Sequence, residues 1–131
     1  MRYLLDTGVW IWSIAAVDQL SQKARDLLAG GAEDLYFSAA SAWEISIKVA
    51  IGKLRLPESP SVFVPERLAT HRIQNLSITN THALGVHSLP RHHDDPFDRM
   101  LIAQARTEKM TILTADKTFR KYDVEVFWCG R

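Results

Sequence analysis

The stretch with the clearest structural signal is DPFDRMLIAQARTEKMTILTAD, residues 95–116. Asp95 is a good helix N-cap and Pro96 suits the first helical position, so the stretch predicts a helix that begins here and runs to about Lys109. One face of this helix is apolar and holds Phe97, Leu101, Ile102 and Ala105. A short apolar run over 111–113 follows, which predicts that the helix leads directly into a buried strand.

The same alternation of helix and strand extends in both directions along the chain. Strands are predicted at 3–5, 35–37, 76–78 (the weakest), 111–113 and 124–127. Further helices are predicted at 22–29, from Ser38 or Ser41 to about 51, at 62–70 and at 81–87. Short apolar strands separated by helices indicate an α/β fold, with a mainly parallel sheet of about five strands and helices on both faces.

Size and charge limit the possible functions. With 131 residues, 47% of them hydrophobic, the chain is expected to form a single domain over 1–131. Sixteen Lys and Arg residues oppose fifteen Asp and Glu residues, so this is not a polycation that binds nucleic acid through its bulk charge. Any contact with nucleic acid must therefore be local or carried by a metal ion.

The expected compartment is the cytoplasm. No stretch approaches the ~20 apolar residues of a membrane-spanning helix, so no membrane association is expected. Cys129 is the single cysteine and cannot form an internal disulfide, which suits a reducing compartment. It lies near the end of the sequence, which looks disordered, and is not a candidate nucleophile.

Four acids stand at the ends of predicted elements, and each has an ordinary structural explanation. Asp6 and Asp116 could cap the turns that follow them, and Asp98 occupies the third position of its helix, where the helix dipole favours a carboxylate. Glu44 could complete a capping box with Ser41 or form a surface ion pair with Lys48. A cap does not require charge, however, so capping alone does not explain four acids.

These acids are expected to converge. Ligands of open α/β sheets bind beyond the carboxyl ends of the strands, where Asp6, Glu44 and Asp116 fall. Two carboxylates ~5 Å apart repel by roughly 3 kcal/mol at an effective dielectric near 20, and a hard divalent ion such as Mg²⁺ relieves that repulsion. The cluster therefore predicts a phosphate-ester substrate attacked by metal-activated water. Asp6→Asn and Asp116→Asn are each expected to leave the metal-free fold intact or slightly more stable.

Other polar and aromatic residues near the acids have less specific interpretations. His92 and His93 lack the partners of a zinc site, and a role in anchoring the loop or facing phosphate is favoured. Thr7 and Thr114 could orient water at a metal or close a turn. Three tryptophans at helical positions are interpreted as core or interface residues rather than base-stacking platforms: Trp10, Trp12 and Trp43.

The chain resembles PIN-domain ribonucleases, specifically VapC-like toxins of bacterial toxin–antitoxin pairs. The most specific matches are the Asp-Pro-Phe-Asp-Arg and Trp-Glu-Ile segments, and the matches span nearly the whole chain. The matching segments are Leu4-Leu5-Asp6-Thr7, Leu20-Ser21 with Ala24-Arg25, Ser41-Ala42-Trp43-Glu44-Ile45 with Lys48, Gly52-Lys53-Leu54 with Leu56-Pro57, His93 to Arg99 followed by Leu101 to Ala105, and Thr114-Ala115-Asp116 with Phe119.

The resemblance implies a Rossmann-like PIN domain that cleaves RNA with Mg²⁺ or Mn²⁺, stops translation and is inhibited by a small cognate antitoxin. It assigns the metal and catalytic positions to Asp6, Glu44, Asp98 and Asp116, with supporting roles for Thr7, Asp95, Arg99 and Thr114. It also implies a homodimer, for which helix faces holding Trp10 or Trp12 are candidate contacts. Gly8 departs from relatives that carry a larger residue, and should loosen the first helix without removing a ligand.

Two alternatives remain. A phosphatase of the haloacid-dehalogenase type needs a second acid two residues after the first-strand Asp, and Gly8 stands there instead. A non-catalytic RNA- or protein-binding module with the same fold would be favoured by the loss of one acid, and none is missing.

Overall fold

Strands and helices alternate along the chain, for which the computed structural model describes residues 1–31 and 33–131. The strands are β1 (Arg2–Leu5), β2 (Asp34–Ser38), β3 (Gln74–Leu76), β4 (Thr111–Thr114) and β5 (Val126–Trp128). The helices are α1 (Thr7–Ala15), α2 (Gln22–Ala29), α3 (Ala39–Ala50), α4 (Pro60–Thr70), α5 (Asn80–Gly85) and α6 (Pro96–Glu108). Short 3₁₀ turns cover Val17–Gln19, Val86–Ser88 and Lys117–Lys121. Within this described part, every helix is too short or too polar to cross a membrane.

The five strands form one sheet in the order β3-β2-β1-β4-β5, and each neighbouring pair is parallel. The predicted α/β fold class is therefore confirmed. The strand order changes direction between β1 and β4, because β2 and β3 lie on one side of β1 and β4 and β5 on the other. In open parallel sheets this switch point leaves a crevice at the carboxyl ends of the strands, where ligands bind.

Both faces of the sheet are buried, each under its own hydrophobic cluster. Alternate residues of a strand point to opposite faces, so Tyr3 and Leu5 belong to one cluster while Leu4 belongs to the other. The first cluster packs against α1, α3 and α4 through residues such as Trp10, Ile45 and Phe63, and the second contains much of α6. This explains why the strands read as continuous apolar runs rather than as alternating ones.

The predicted helix boundaries are confirmed where the sequence contains a clear capping residue. Helix α2 covers the predicted residues, and α6 begins at Pro96 with Asp95 as its N-cap. Helix α3 is capped by Ser38, whose Oγ accepts the N–H of Ala40 at 3.0 Å, so the capping box suggested for Ser41 and Glu44 is wrong. Strand β3 lies two residues earlier than predicted, because its pairing with β2 sets its position and its exposed edge leaves little apolar pattern.

Three sequence expectations about burial need correction or refinement. Cys129 is fully buried, its N–H donates to the Thr114 carbonyl at 2.8 Å, and its carbonyl accepts the N–H of Ser21 at 2.9 Å, so this end of the chain is ordered. Trp10 is 1% exposed and cannot form a dimer contact. Trp43, in contrast, is 61% exposed and packs edge-on against Phe97.

Candidate metal centre

Two of the predicted acids flank the switch point of the sheet. Asp6 follows β1 and is held there by its N–H, which donates to the Leu113 carbonyl at 3.0 Å. Asp116 lies two residues beyond β4. The Thr114 hydroxyl joins them, since it donates to Asp6 Oδ2 at 2.8 Å and accepts the N–H of Asp116 at 3.0 Å. The predicted supporting position Thr114 thus links the two strand-end acids.

The third acid, Glu44, projects from α3 and is 5% exposed. One carboxylate oxygen, Oε2, forms a salt bridge with Lys48 one turn later. The predicted pair is therefore present, but its acid is buried rather than at the surface. The other oxygen, Oε1, is buried without a hydrogen-bond partner among the described residues.

The fourth acid, Asp98, is placed by the start of α6. Asp95 Oδ1 accepts the N–H groups of Phe97 at 2.8 Å and Asp98 at 3.0 Å, which fixes the first turn of the helix. The Asp98 side chain is then close enough to the other acids for their charges to affect its ionisation. Asp95 thus supports Asp98 through the backbone, as the sequence suggested.

A fifth side chain that sequence reasoning did not place in the site lies between two of these acids. His93 Nε2 is 2.9 Å from Asp98 Oδ2 and 3.2 Å from Asp116 Oδ2. The available signal was its position five residues before Asp98 and two before the N-cap of α6. That signal did not distinguish His93 from His92, because the direction of a loop side chain depends on contacts outside the loop.

The acids behave as one electrostatic unit. Burial, followed by the charges of Asp6, Asp95, Glu44 and Asp116, raises the pKa of Asp98 to about 8. Burial also raises the pKa of Asp6 to about 6, with smaller contributions from the charges of Asp116 and Glu44 and with opposition from the Thr114 hydrogen bond. Burial also acts to raise the pKa of Asp116, but hydrogen bonds from Thr118 and His93 outweigh the effect of burial. The pKa of Asp116 is therefore below its usual value.

This arrangement fits a hard divalent cation. Carboxylate oxygens are the ligands that Mg²⁺ and Mn²⁺ prefer, and such an ion would offset the repulsion that raises the pKa values of Asp6 and Asp98. The buried Oε1 of Glu44 has no donor among residues 1–31 and 33–131, and a cation would satisfy it. One ring nitrogen of His93 and one carboxylate oxygen each of Asp98 and Asp116 lie within 4.8 Å of one another.

The two remaining supporting residues act at a distance from the acids. Thr7 Oγ1 donates to Ser41 Oγ at 2.7 Å in a buried contact that joins the start of α1 to α3. Arg99 is 7% exposed and donates to carbonyls of the loop before α6, including Val86 at 3.2 Å and Pro90 at 2.9 Å. Arg99 therefore organises the loop that carries His93.

The sequence matches a model of the PIN domain over residues 3–125. Ribonuclease VapC16 of Mycobacterium tuberculosis is 42% identical over 48 residues, which are 37% of this chain and 34% of that protein. The aligned segment thus spans about a third of this curated relative.

Solved structures share the fold at lower identity. VapBC2 from Rickettsia felis, bound to a DNA fragment from its promoter, matches with a TM-score of 0.74 and 14% identity over 98% of this chain and 99% of that one. VapBC-1 from nontypeable Haemophilus influenzae matches with a TM-score of 0.70 and 16% identity over 98% of both chains. FitAcB from Neisseria gonorrhoeae matches with a TM-score of 0.58 and 23% identity over 95% of this chain and 96% of that one.

Proposed function

The chain belongs to the PIN-domain family, and on that premise we propose that it is a metal-dependent ribonuclease, the toxin of a toxin–antitoxin pair acting in the cytoplasm. The observation that carries the proposal is that four acids, from the end of β1, from α3, from α6 and from the end of β4, lie near enough for their charges to act on one another, with Asp98 and Asp116 within 4.8 Å. Burial and mutual repulsion raise two of their pKa values, and one buried oxygen of Glu44 has no partner among the described residues. The name of the VapC16 relative gives independent support for RNA cleavage.

In this proposal Asp6, Glu44, Asp98 and Asp116 hold Mg²⁺ or Mn²⁺ and are the catalytic set. A divalent ion supplies Lewis acidity toward a phosphodiester and lowers the pKa of water, so that RNA is cleaved by hydrolysis. Thr114 keeps Asp6 and Asp116 in register through its two hydrogen bonds. Lys48 pairs with one oxygen of Glu44 and leaves the other free for a cation.

The direct test is cleavage of structured RNA by purified, antitoxin-free protein in Mn²⁺ or Mg²⁺. Asp98→Asn is expected to abolish cleavage, because it removes a charged oxygen from the cluster. The matched control is Asp94→Asn, which changes an exposed acid four residues away and should cleave like wild type. Undiminished cleavage by Asp98→Asn would remove that residue from the mechanism. If wild type cleaves none of many RNAs, the alternative of a non-catalytic RNA- or protein-binding module is favoured.

A small antitoxin is the proposed protein partner, because a structural match from Klebsiella pneumoniae is described as a toxin–antitoxin complex. A homodimer is also proposed, with a different surface from the one first expected. Along α3 and at its C-cap, the apolar side chains of Trp43, Ile47 and Ile51 are exposed at one-turn intervals. Ile51→Lys is expected to shift the protein toward monomer in light-scattering chromatography, whereas an unchanged mass would exclude this surface.

A further inference from the structure

The imidazole of His93 contacts acids from two separate elements. Its Nε2 is 3.2 Å from Asp116 Oδ2 in hydrogen-bond geometry and 2.9 Å from Asp98 Oδ2. Asp98 belongs to the first turn of α6, whereas Asp116 follows β4. A single side chain thus connects the helix-borne and strand-borne parts of the acid cluster.

The hydrogen bond at the other ring nitrogen fixes what Nε2 can do. The backbone N–H of Asp95 donates to His93 Nδ1 at 3.2 Å, so Nδ1 is an acceptor and carries no proton. Nε2 must then carry the ring proton and acts as a donor toward Asp116 Oδ2. A nitrogen in this state has no lone pair to offer a cation, which excludes His93 as a metal ligand in this geometry.

Contacts of both its backbone and its ring hold His93 in place. The His93 backbone N–H donates to the Tyr122 hydroxyl at 2.8 Å, and its carbonyl accepts from Arg99 at 3.4 Å. Its ring packs edge-on against the buried side chain of Phe119. Such support reduces the number of orientations that the imidazole can adopt, which is what a residue that positions other groups requires.

We infer that His93 is a positioning residue of the metal centre, whose Nε2–H donates to Asp116 Oδ2 and whose close approach to Asp98 Oδ2 keeps the two carboxylates together for a divalent ion. The inference rests on the proposed function, since it assigns a role within that same site. A carboxylate oxygen has two lone pairs, so accepting a hydrogen bond from His93 leaves one available to a cation. Hydrogen-bond partners of this kind typically change metal affinity by about 10–100-fold when they are removed.

His92 provides a matched control next to His93 in the chain. Its backbone N–H donates to the same Tyr122 hydroxyl at 3.1 Å, and its ring lies edge-on against Tyr122. Within the described residues, neither the hydrogen bonds nor the salt bridges join its ring to a carboxylate. Changes that act only by disturbing the loop should therefore affect both positions alike.

The experiment measures Mn²⁺ affinity by calorimetry and by the electron paramagnetic resonance signal of free Mn²⁺, with no RNA present. Wild type, His93→Ala, His93→Gln and His92→Ala are compared, and their metal-free melting temperatures are recorded. His93→Ala is expected to weaken Mn²⁺ binding by about 10–100-fold. His93→Gln, which keeps an N–H donor, should recover part of the loss, and His92→Ala should bind like wild type.

Unchanged or tighter Mn²⁺ binding by His93→Ala, with wild type binding normally, overturns the role of His93 and leaves the proposed function standing. An equal loss of Mn²⁺ affinity in His92→Ala shows a purely structural role and also overturns the inference. The same holds if His93→Ala loses affinity, His93→Gln recovers none of it, and the metal-free melting temperature falls. If wild type binds no Mn²⁺, the proposed function fails first and the inference fails with it.

Discussion

Asp98 and Asp116 lie against the same imidazole, yet their pKa values move in opposite directions. Asp98 is buried among other carboxylates, and its pKa rises to about 8. Asp116 is also partly desolvated, but the Thr118 N–H donates to its Oδ1 at 2.9 Å and His93 donates to Oδ2, so its pKa falls. The folded state therefore disfavours the ionised form of Asp98 and favours the ionised form of Asp116.

This contrast predicts opposite effects of two similar substitutions. Because its folded pKa exceeds the unfolded value of about 4, Asp98 contributes less stability as pH rises from about 4 to about 8. In EDTA at pH 8.5, Asp98→Asn should raise the melting temperature by about 3–6 °C, roughly the response to 1 kcal/mol in a domain of this size. At pH 5, where Asp98 is already protonated in the folded protein, the difference should shrink.

Asp116→Asn should instead leave the melting temperature unchanged or lower it slightly at pH 8.5, because the charge of Asp116 is stabilised by its donors and that stabilisation is lost only as pH falls below about 4. The lowered pKa of Asp116 therefore argues against the slight gain in stability that the sequence allowed for this substitution. Equal melting temperatures for wild type and Asp98→Asn at both pH values would show that Asp98 is solvated.

The thiol of Cys129 provides a separate prediction at this scale. The side chain is fully buried, and burial raises its pKa to about 12. A thiol reagent such as DTNB should therefore not react with the native protein at pH 8, and should react with one equivalent of thiol after unfolding in guanidinium chloride. Rapid labelling of the native protein would show that the chain after β5 detaches from the core.

Among the secondary structure elements, α6 contributes most to the site. Its N-cap residue Asp95 fixes the first turn and so the position of Asp98. Arg99, the residue after Asp98, donates hydrogen bonds to carbonyls of the loop that carries His93. Its last turn ends at Lys109, which adopts a left-handed conformation with φ of 58° and lets the chain enter β4. One helix thus aligns an acid, a loop and the strand that leads to Asp116.

The cap of α6 can be tested with two substitutions. Asp95→Ala should lower the free energy of unfolding by about 1 kcal/mol, because it leaves two N–H groups without an acceptor. Asp95→Asn keeps a capping oxygen and removes a charge that raises the pKa of Asp98, so it should be at least as stable as wild type at pH 8. Urea unfolding in EDTA measures both, and an equal loss in the two variants would mean that the charge, not the cap, is what stabilises the helix.

At the scale of the whole molecule, the strand order creates the site. Asp6 and Asp116 meet because β1 and β4 are neighbours, although 110 residues separate them along the chain. Glu44 on α3 and Asp98 on α6 lie near enough for the charges of Glu44 and Asp6 to raise the pKa of Asp98. The acids are thus brought together only in the folded state, so an ion that binds them all should stabilise that state.

We therefore expect Mn²⁺ to raise the melting temperature of the wild-type protein. An ion at 100 times its dissociation constant adds about 2.7 kcal/mol to the free energy of unfolding. Glu44→Gln should lose most of this stabilisation, whereas Glu58→Gln, at an exposed acid outside the cluster, should retain it. The same Mn²⁺-induced shift in both variants would argue that the ion binds elsewhere.

Local signals in the sequence sufficed for features that depend on neighbours within a helical turn or a strand. They predicted α2, the start of α6 and the parallel sheet, since caps and apolar periodicity act over a few residues, whereas the acids they offered as ligands stay a prediction. The assignment of one domain to residues 1–131 stays a prediction. The tertiary structure alone decided the register of β3, the burial of Cys129, the choice between core and interface for Trp10, and the turn of His93 toward the acids. Each of these depends on contacts between residues far apart in the chain, such as Tyr122 with His93, which no local pattern specifies.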